Sequence, residues 1–536
     1  VAAYVPEEFT DDEADILRRY FTNLDGPVFA LVNLPEVVKG ALFARYSRSA
    51  KSLRRLFLDE FVGELDIEGD NSIDATIGLA RAEELYERVF FEYGDDSVAQ
   101  LGGVHLACEQ ASNLLTKILE WGRLMSYLEQ STRYISYDSR LGGRYRYFRD
   151  PRIMASRHAT RYVGDLDRMF DDYSTLVEGV TEYVRSSVPQ NPGDSDFIYR
   201  QATRAKALDA TRGVLPAAAL SNLGIYGSGQ AFEALLLRMR AHPLPEARTY
   251  GELMLNELRK VIPSFLRRVD LPDRGGDWSN YLAQTRTDTA AIVHQLFGDA
   301  PTEHAEEVTL VDFDPEAEDK LLAAICYPYS HLPEHQLLEQ VRSLGVDQRR
   351  SLLIAYVGDR RNRRHRPGRA FERIDYRFDV LSDYGAFRDL QRHRMLTIEW
   401  QALTPYHGYS RPELVADAGL ANLFDHAMDR SARLYDTLHA DLGPDHAGYA
   451  VAMAYRLRYI MQFNAREAMH MLELRSSPQG HPAYRRVALE MHRQIAEVAG
   501  HHAVAAAMSF MTTDAPELER LESERRAESK RQSEHP

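Results

Sequence analysis

Cysteine is almost missing from this chain: Cys108 and Cys326 are the two present in 536 residues. Two thiols so far apart in sequence exclude a disulfide framework and a cysteine-based metal cluster, and they make a reducing, cytoplasmic setting the expectation. Long apolar runs are also lacking. No window reaches the ~18 uninterrupted apolar residues of a membrane span, and the acidic stretch Val1 to Asp15 has neither the basic nor the apolar region of an export signal. Positive charge is in deficit, with 65 Lys plus Arg against 80 Asp plus Glu and a net charge of −15, so broad nucleic-acid binding is not expected. His-Glu-x-x-His, paired Cys-x-x-Cys and the phosphate-loop lysine motif are absent. No metal is therefore expected, and the scattered histidines, including His501 and His502, read as core or surface side chains.

What is present is ordinary globular composition, 44% hydrophobic and 27% charged, at a length that corresponds to two to four domains of roughly 100 to 200 residues. Apolar periodicity is mostly helical. Val104, Ala107, Ala111, Leu114, Leu115, Ile118 and Leu119 follow the spacing of a half-buried helix, which would enclose Cys108. Phe29 to Val32, Val308 to Phe313 and Tyr376 to Leu381 read as strands, rich in aromatic and β-branched residues. The fold class is α+β and helix-rich. Between Asp270 and Lys320 the pattern weakens through a Pro272 to Gly276 turn and an acidic stretch, which places a domain boundary near residue 300. The organisation read here is a first half 1–300, a second half 301–515 and a charged tail 516–536, too poor in apolar residues to offset chain entropy. A long-period internal repeat joins the halves: Trp121 to Ser126 answers to Arg392 to Thr397, and Ala231 to Arg238 answers to Ala468 to Arg475.

Candidate chemistry concentrates in three places. Ser126 to Tyr134 packs hydroxyls, Glu129, Arg133 and phenols into one short stretch. A serine beside an arginine suits a phosphate monoester, and the alternative is a surface loop in which Ser131 caps a helix. Arg392, His393 and Arg394 are followed downstream by Asn464, Arg466, His470 and Arg475 on one helix. At ~100° per residue Asn464 and Arg475 share one face and Arg466 and His470 another, so that helix could touch two ligands. The alternative is a methionine-rich core helix with polar decoration. The densest charge run is Arg360, Arg361, Arg363, Arg364, Arg366 and Arg369, a solvated or acid-paired loop with a pyrophosphate or nucleic-acid contact as the second reading. Gly224-x-x-Gly-x-Gly229 reverses the glycine order of a dinucleotide fingerprint and is set aside.

These motifs resemble a tandem, diverged form of the flavin-dependent, thiol-independent thymidylate synthase family. That family's pattern is Arg-His-Arg, a serine, then Ser-x-Arg-Tyr, followed by an Asn-x-Arg helix ending in Leu-x-Leu-Arg. The first half keeps Ser131-Thr-Arg133-Tyr134 but has Trp121-Gly122-Arg123 for Arg-His-Arg. The second half keeps Arg392-His393-Arg394 and Asn464-Ala-Arg466 through Arg475 but has Ala402-Leu-Thr404-Pro405 for Ser-x-Arg-Tyr. Asp96-Ser97 and Phe371-Glu372 look like remnants of a further motif, and Arg212-Gly-Val-Leu-Pro216 is similar to the family's arginine that helps hold the nucleotide. Gly448 and Tyr449 stand at the matching place of the second half.

The resemblance implies two fused copies of the family's helix-rich α+β fold with small antiparallel sheets. It implies FAD as cofactor, NADPH and methylenetetrahydrofolate as co-substrates, and a dUMP-like nucleotide as substrate. Glu129, Ser131, Arg133 and Arg212 would serve the nucleotide, and Arg392, His393, Arg394, Asn464, Arg466 and His470 the flavin. Arg475 would reach the base, so that Arg475 and Ser131 are the catalytic candidates. Neither cysteine has the setting of a thiolate nucleophile. Two chains would form a homodimer imitating the family tetramer. The other functional class consistent with the split motifs is a flavin- or nucleotide-binding pseudoenzyme with a regulatory role.

Overall fold

The computed structural model describes residues 4 to 513 apart from 35, 61–101, 193, 299, 302 and 304. Asp96-Ser97 and the tail 516–536 lie outside the described residues. The fold is helix-rich α+β, as the sequence implies, and it divides into two compact units. Unit 1 comprises Val1–Thr175, Val214–Thr302 and Asp429–Ala452, and unit 2 comprises Leu176–Gly213, Glu303–Met428 and Met453–Pro536. The units are thus not the sequence halves: each includes a segment from the other half.

Unit 1 is built on a four-stranded antiparallel sheet of β1 (Val28–Leu31), β2 (Gly103–Ser112), β3 (Met125–Glu129) and β4 (Leu220–Ser228), in the order β1-β2-β4-β3. Unit 2 repeats it with β5 (Val308–Phe313), β6 (Asp375–Asp383), β7 (Thr397–Trp400) and β8 (Arg456–Asn464), ordered β5-β6-β8-β7. In β8 the buried residues Leu457, Tyr459, Met461 and Phe463 alternate with Arg456, Arg458 and Gln462, the period of two that turns one face to the core. The strands expected near residues 29, 308 and 376 are β1, β5 and β6.

The helix expected from Val104 through Leu119 is corrected. Its first part is β2, and only Asn113–Leu119 is helical. β2 is buried on both faces, with Val104, Leu106 and Cys108 in one row and Ala107 and Glu109 in the other, so its apolar positions lose the alternation that marks a strand. A bulge between Cys108 and Ala111, where Gln110 takes φ 54°, breaks the period further. Cys108 therefore sits in a strand, and burial followed by the nearby Glu109 pushes its thiol pKa up.

The two sheets match strand for strand. β2 meets β4 with Gly103 opposite Ser228, and β6 meets β8 with Asp375 opposite Asn464. Ser112 and Asp383 close β2 and β6 while capping the helices Asn113–Leu119 and Tyr384–Leu390. The expected repeat at Trp121 to Ser126 and Arg392 to Thr397 agrees with this frame. The second repeat shifts by one residue, because the caps pair Ser228 with Asn464 and so bring Ala231 opposite Glu467 rather than Ala468.

The reversed glycine pattern has a packing cause. A Cβ on Gly224 would lie 2.2 Å from the ring of Phe43, one on Gly227 2.6 Å from Met125, and one on Gly229 2.8 Å from Phe265. Beyond β4, the expected weak stretch near residue 280 contains the helix Asp277–Phe297, exposed along most of its length. Gly224→Ala is expected to overpack the unit 1 core at Phe43 and destabilise the protein by about 1–3 kcal/mol. A lowered thermal unfolding midpoint would confirm it, and an unchanged midpoint would show that the ring yields freely.

Candidate functional site

In unit 2 the polar residues are carried by the segments that follow β6 and β8, which leave the sheet from opposite ends of the β6–β8 ladder. Asp383 is the last residue of β6, and its carboxylate accepts from the amide of Ala386 at 2.9 Å. Asn464 ends β8 and accepts from the amide of Glu467 at 2.9 Å, so this asparagine is an N-cap that fixes the start of the helix Ala465–Arg475. Glu467, one turn on, bridges two histidines: Oε1 is 3.2 Å from Nδ1 of His393 and Oε2 is 3.3 Å from Nδ1 of His470. Nε2 of His393 accepts from Nε of Arg475 at 2.9 Å. That contact fixes the tautomer, because arginine can only donate. His393 must then be neutral, with its proton on Nδ1 and aimed at Glu467. Burial, with the Arg475 charge adding to it, holds the His393 pKa down at about 4. Burial alone would raise Glu467, but its histidine partners bring its pKa below the ordinary value.

Arg212 enters the same unit on the segment Leu176–Gly213. It is buried, and both of its terminal nitrogens lie 3.2 Å from Oδ2 of Asp389. Burial pushes the pKa of Arg475 down and the Asp389 charge acts against that shift; the Arg475 guanidinium lies 5.2 Å from the ring centre of Tyr484. Arg392 and Arg394 are exposed in the turn on either side of buried His393, and Arg466 and His470 are half-buried. Arg466 donates from Nε to the carbonyl of Pro367 at 3.0 Å and reaches Glu372 at 3.5 Å. A set of exposed or half-exposed cations beside a buried neutral imidazole fits an anionic dinucleotide by charge and donor chemistry. His393, Glu467 and His470 also lie close enough together to hold a metal ion. Here the two Nδ1 atoms are engaged with Glu467 and the Arg475 cation lies against the other nitrogen of His393, which works against a divalent ion.

In unit 1 Glu129 closes β3 and is fully buried, accepting from Nζ of Lys117 at 3.1 Å, while the same ammonium pairs with Glu120. Gln130 is tied to the carbonyl of Ser49 at 2.7 Å and the amide of Ser131 to the carbonyl of Ser47 at 3.2 Å. Oγ of Ser131 accepts from the amide of Arg133 at 3.3 Å. The alternative of a helix cap at Ser131 is corrected: the hydroxyl closes a turn, held by short-range backbone bonds to Tyr134 and Ile135. Ser131 and Arg133 are half-buried, and Tyr134 is exposed with Arg48 above its ring.

Glu129, Ser131 and Arg133 therefore stand together in unit 1, and Arg212, Arg392, His393, Arg394, Asn464, Arg466, His470 and Arg475 in unit 2. Sequence reasoning missed Glu467, Asp389 and Lys117. A lysine inside the apolar run Leu114 to Leu119 was a signal, as was a glutamate three residues after an N-cap asparagine. In the matched frame of the two sheets, unit 1 has Trp121, Gly122, Gln230, Ala231 and Ala234 where unit 2 has Arg392, His393, Arg466, Glu467 and His470. The carboxylate that bridges two histidines in unit 2 has no equivalent at these matched positions of unit 1.

The family model described as "Thymidylate synthase complementing protein" matches residues 43–264 and again 309–500. A UPF0159 protein of Chlamydia muridarum is 39% identical over 528 residues, covering 97% of this chain and 98% of that protein. One from Chlamydia pneumoniae is 39% identical, covering 91% of this chain and 93% of its own. A third, from Thermoplasma acidophilum, is 32% identical, covering 91% and 97%. Among solved structures, a UMP/dUMP methylase PolB from Streptomyces cacaoi bound with 5-Br dUMP is 19% identical, with a TM-score of 0.29, over 37% of this chain and 94% of that one.

The depressed His393 pKa carries a sign for stability. The folded state holds the neutral imidazole, so its contribution is complete above the ordinary value of 6.5 and is lost as pH falls toward about 4. Thermal unfolding midpoints should therefore fall across this window, and the slope should be shallower in His393→Gln. A variant profile parallel to the wild type would show that another group carries the acid sensitivity.

Proposed function

The chain belongs to the thymidylate synthase complementing family, and from that premise we propose that it is an FAD-dependent pyrimidine nucleotide methylase. The reaction is reductive methylation at C5 of dUMP or a related pyrimidine nucleotide. Methylenetetrahydrofolate provides the carbon, and NADPH provides the electrons. The observation that carries this reading is the unit 2 network in which Glu467, His470 and Arg475, all on the helix Ala465–Arg475, engage His393 and each other, with Arg392 and Arg394 exposed on either side of His393 and Arg466 on the same helix.

When bound, the flavin supplies hydride chemistry that no side chain of this chain can perform. The residues present do the rest. Arg392, Arg394 and Arg466 offer charge-assisted donors to its phosphates, and His470 offers a ring nitrogen beside them. Asn464 fixes the helix start from which Arg466 and His470 project. His393 accepts from Nε of Arg475 and so orients that guanidinium toward the base carbonyl, where a fixed cation stabilises charge developing during substitution. Ser131 and Arg133 take the nucleotide phosphate through a hydroxyl and a planar fork, with Arg212 as a further nucleotide contact. Glu129, buried on Lys117, would act by holding the end of β3 from which Ser131 follows. Two chains form a homodimer that reproduces the family tetramer.

A second reading, a flavin-binding pseudoenzyme with a regulatory role, draws on the same asymmetry: Gly122, Ala231 and Ala234 leave unit 1 without the bridged histidines. The two readings separate in a spectroscopic titration. The purified protein with FAD should show a bound-flavin visible spectrum that shifts on adding dUMP, followed by dTMP formation when folate and NADPH are supplied. Flavin binding that ignores dUMP, with no turnover, would favour the pseudoenzyme. Arg133→Ala should weaken nucleotide binding and spare flavin uptake, and Arg394→Ala should do the reverse. Equal loss of flavin uptake in both would overturn the division of labour.

A further inference from the structure

The arginine run is not a loose solvated loop. The Arg360 side chain at its start is buried and donates to both oxygens of Glu473 at 2.6 Å, to the carbonyl of Ala507 at 2.7 Å and, from Nε, to the carbonyl of His365 at 2.6 Å. Its guanidinium also lies over the ring of Phe510. At the other end the carbonyl of Pro367 accepts from Nε of Arg466 at 3.0 Å. Glu473 and Arg466 belong to the same helix, Ala465–Arg475. The loop is therefore stapled at both ends to the helix that carries the cationic cluster. Within it, Asn362 closes a turn by accepting from the amide of Arg364 at 2.9 Å. Beyond it, Gly368 is packed so closely on Tyr356 that a Cβ would meet the hydroxyl at 2.2 Å.

Between the staples Arg361, Arg363, Arg364 and Arg366 are all exposed. The ion pair described for them joins Arg361 to Asp359 at 3.6 Å, with both side chains at least 80% exposed, a geometry worth little in water. Four like charges thus fall within six residues of a loop whose backbone is tied at both ends. Such an arrangement is stabilised by a multiply charged anion. We propose that residues 361–366 form a phosphate-binding subsite that takes the pyrophosphate or terminal phosphate of a dinucleotide. Duplex nucleic acid is the poorer ligand, because the site is one short loop on a chain of net charge −15. The identity of the dinucleotide, FAD or the phosphorylated nicotinamide reductant, rests on the flavin reading above; the subsite itself rests on the loop.

The test is the fourfold variant Arg361→Gln, Arg363→Gln, Arg364→Gln and Arg366→Gln in the full chain, with its thermal midpoint measured to establish folding. Binding of FAD, riboflavin and NADPH is followed by fluorescence, and binding of inorganic pyrophosphate by calorimetry. FAD or NADPH affinity should fall by about tenfold or more, as expected for losing one or two charge-assisted contacts. Riboflavin, which has no phosphate, should bind as before, and the ligand that weakens identifies the source. Unchanged affinity for both dinucleotides, or an equal loss for riboflavin, would overturn the subsite. A loss confined to duplex DNA would do so as well. Should the wild type bind neither dinucleotide, the flavin reading fails by itself. Pyrophosphate then decides the subsite: binding lost in the variant supports it, and binding retained or never present rejects it.

Discussion

Four strand-to-helix junctions without a connecting loop are the constraint on which the rest of this structure depends. Ser112, Ser228, Asp383 and Asn464 each end a strand and each accept a hydrogen bond from the first turn of the helix that follows. One side chain thus satisfies an orphan amide of the helix and fixes the angle at which the chain leaves the sheet. Because no flexible residues intervene, the position of the next turn is set by the register of the sheet. Glu467 is placed against His393 in this way: the cap at Asn464 orients one helix, the cap at Asp383 orients the other, and the carboxylate and imidazole meet at 3.2 Å.

The same constraint makes the two units comparable residue by residue. At the place of the Arg212 and Asp389 pair in unit 2, the matched positions in unit 1 are Gly448 and Ile118, and a Cβ on Gly448 would touch Leu114 at 3.3 Å. Both charges are gone together. That is what energetics demands of a buried pair, since removing one partner strands the other at a cost of several kcal/mol whereas replacing both by apolar groups is close to neutral. Around it, His393, Glu467 and His470 are matched by Gly122, Ala231 and Ala234, and again no orphan is left behind. Unit 1 instead buries Lys117 with Glu120 and Glu129. At these matched positions the charged partners are present together or absent together, so the divergence here has proceeded by groups of residues.

Much of this was legible in the sequence, and the failures have identifiable causes. Strands β5 and β6 announced themselves because β-branched and aromatic residues sit between charges, and the Arg392 to Thr397 repeat could be matched because its arginines and histidine are distinctive. β2 was read as helix because burial on both faces erased its alternation. The helix repeat was misplaced by one residue because Leu-Leu-Arg and Leu-x-Leu-Arg look alike as strings, whereas the caps that set their true register differ in type, serine against asparagine. The exchange of Leu176–Gly213 and Asp429–Ala452 between units left no local trace. Nothing in a helix's composition records which sheet its far end will join, so the company Arg212 keeps could be seen only in the fold.

The tautomer of His393 links the network to the chemistry it would support. A charged imidazole would repel Arg475 at 2.9 Å, and a neutral one protonated on Nε2 would present a donor to a donor. The arrangement holds together in one protonation state, and Glu467 selects it by accepting from Nδ1. Glu467 in turn is kept ionised by its two histidine partners although it is buried. The chain of dependence thus runs from the Asn464 cap, through Glu467 and His393, to the guanidinium of Arg475. Replacing Glu467 with glutamine would let that amide donate to His393 as readily as accept from it, and the imidazole would lose its reason to leave Nε2 unprotonated. Arg475 would then lose the acceptor that orients it while every residue of the cationic cluster remained in place.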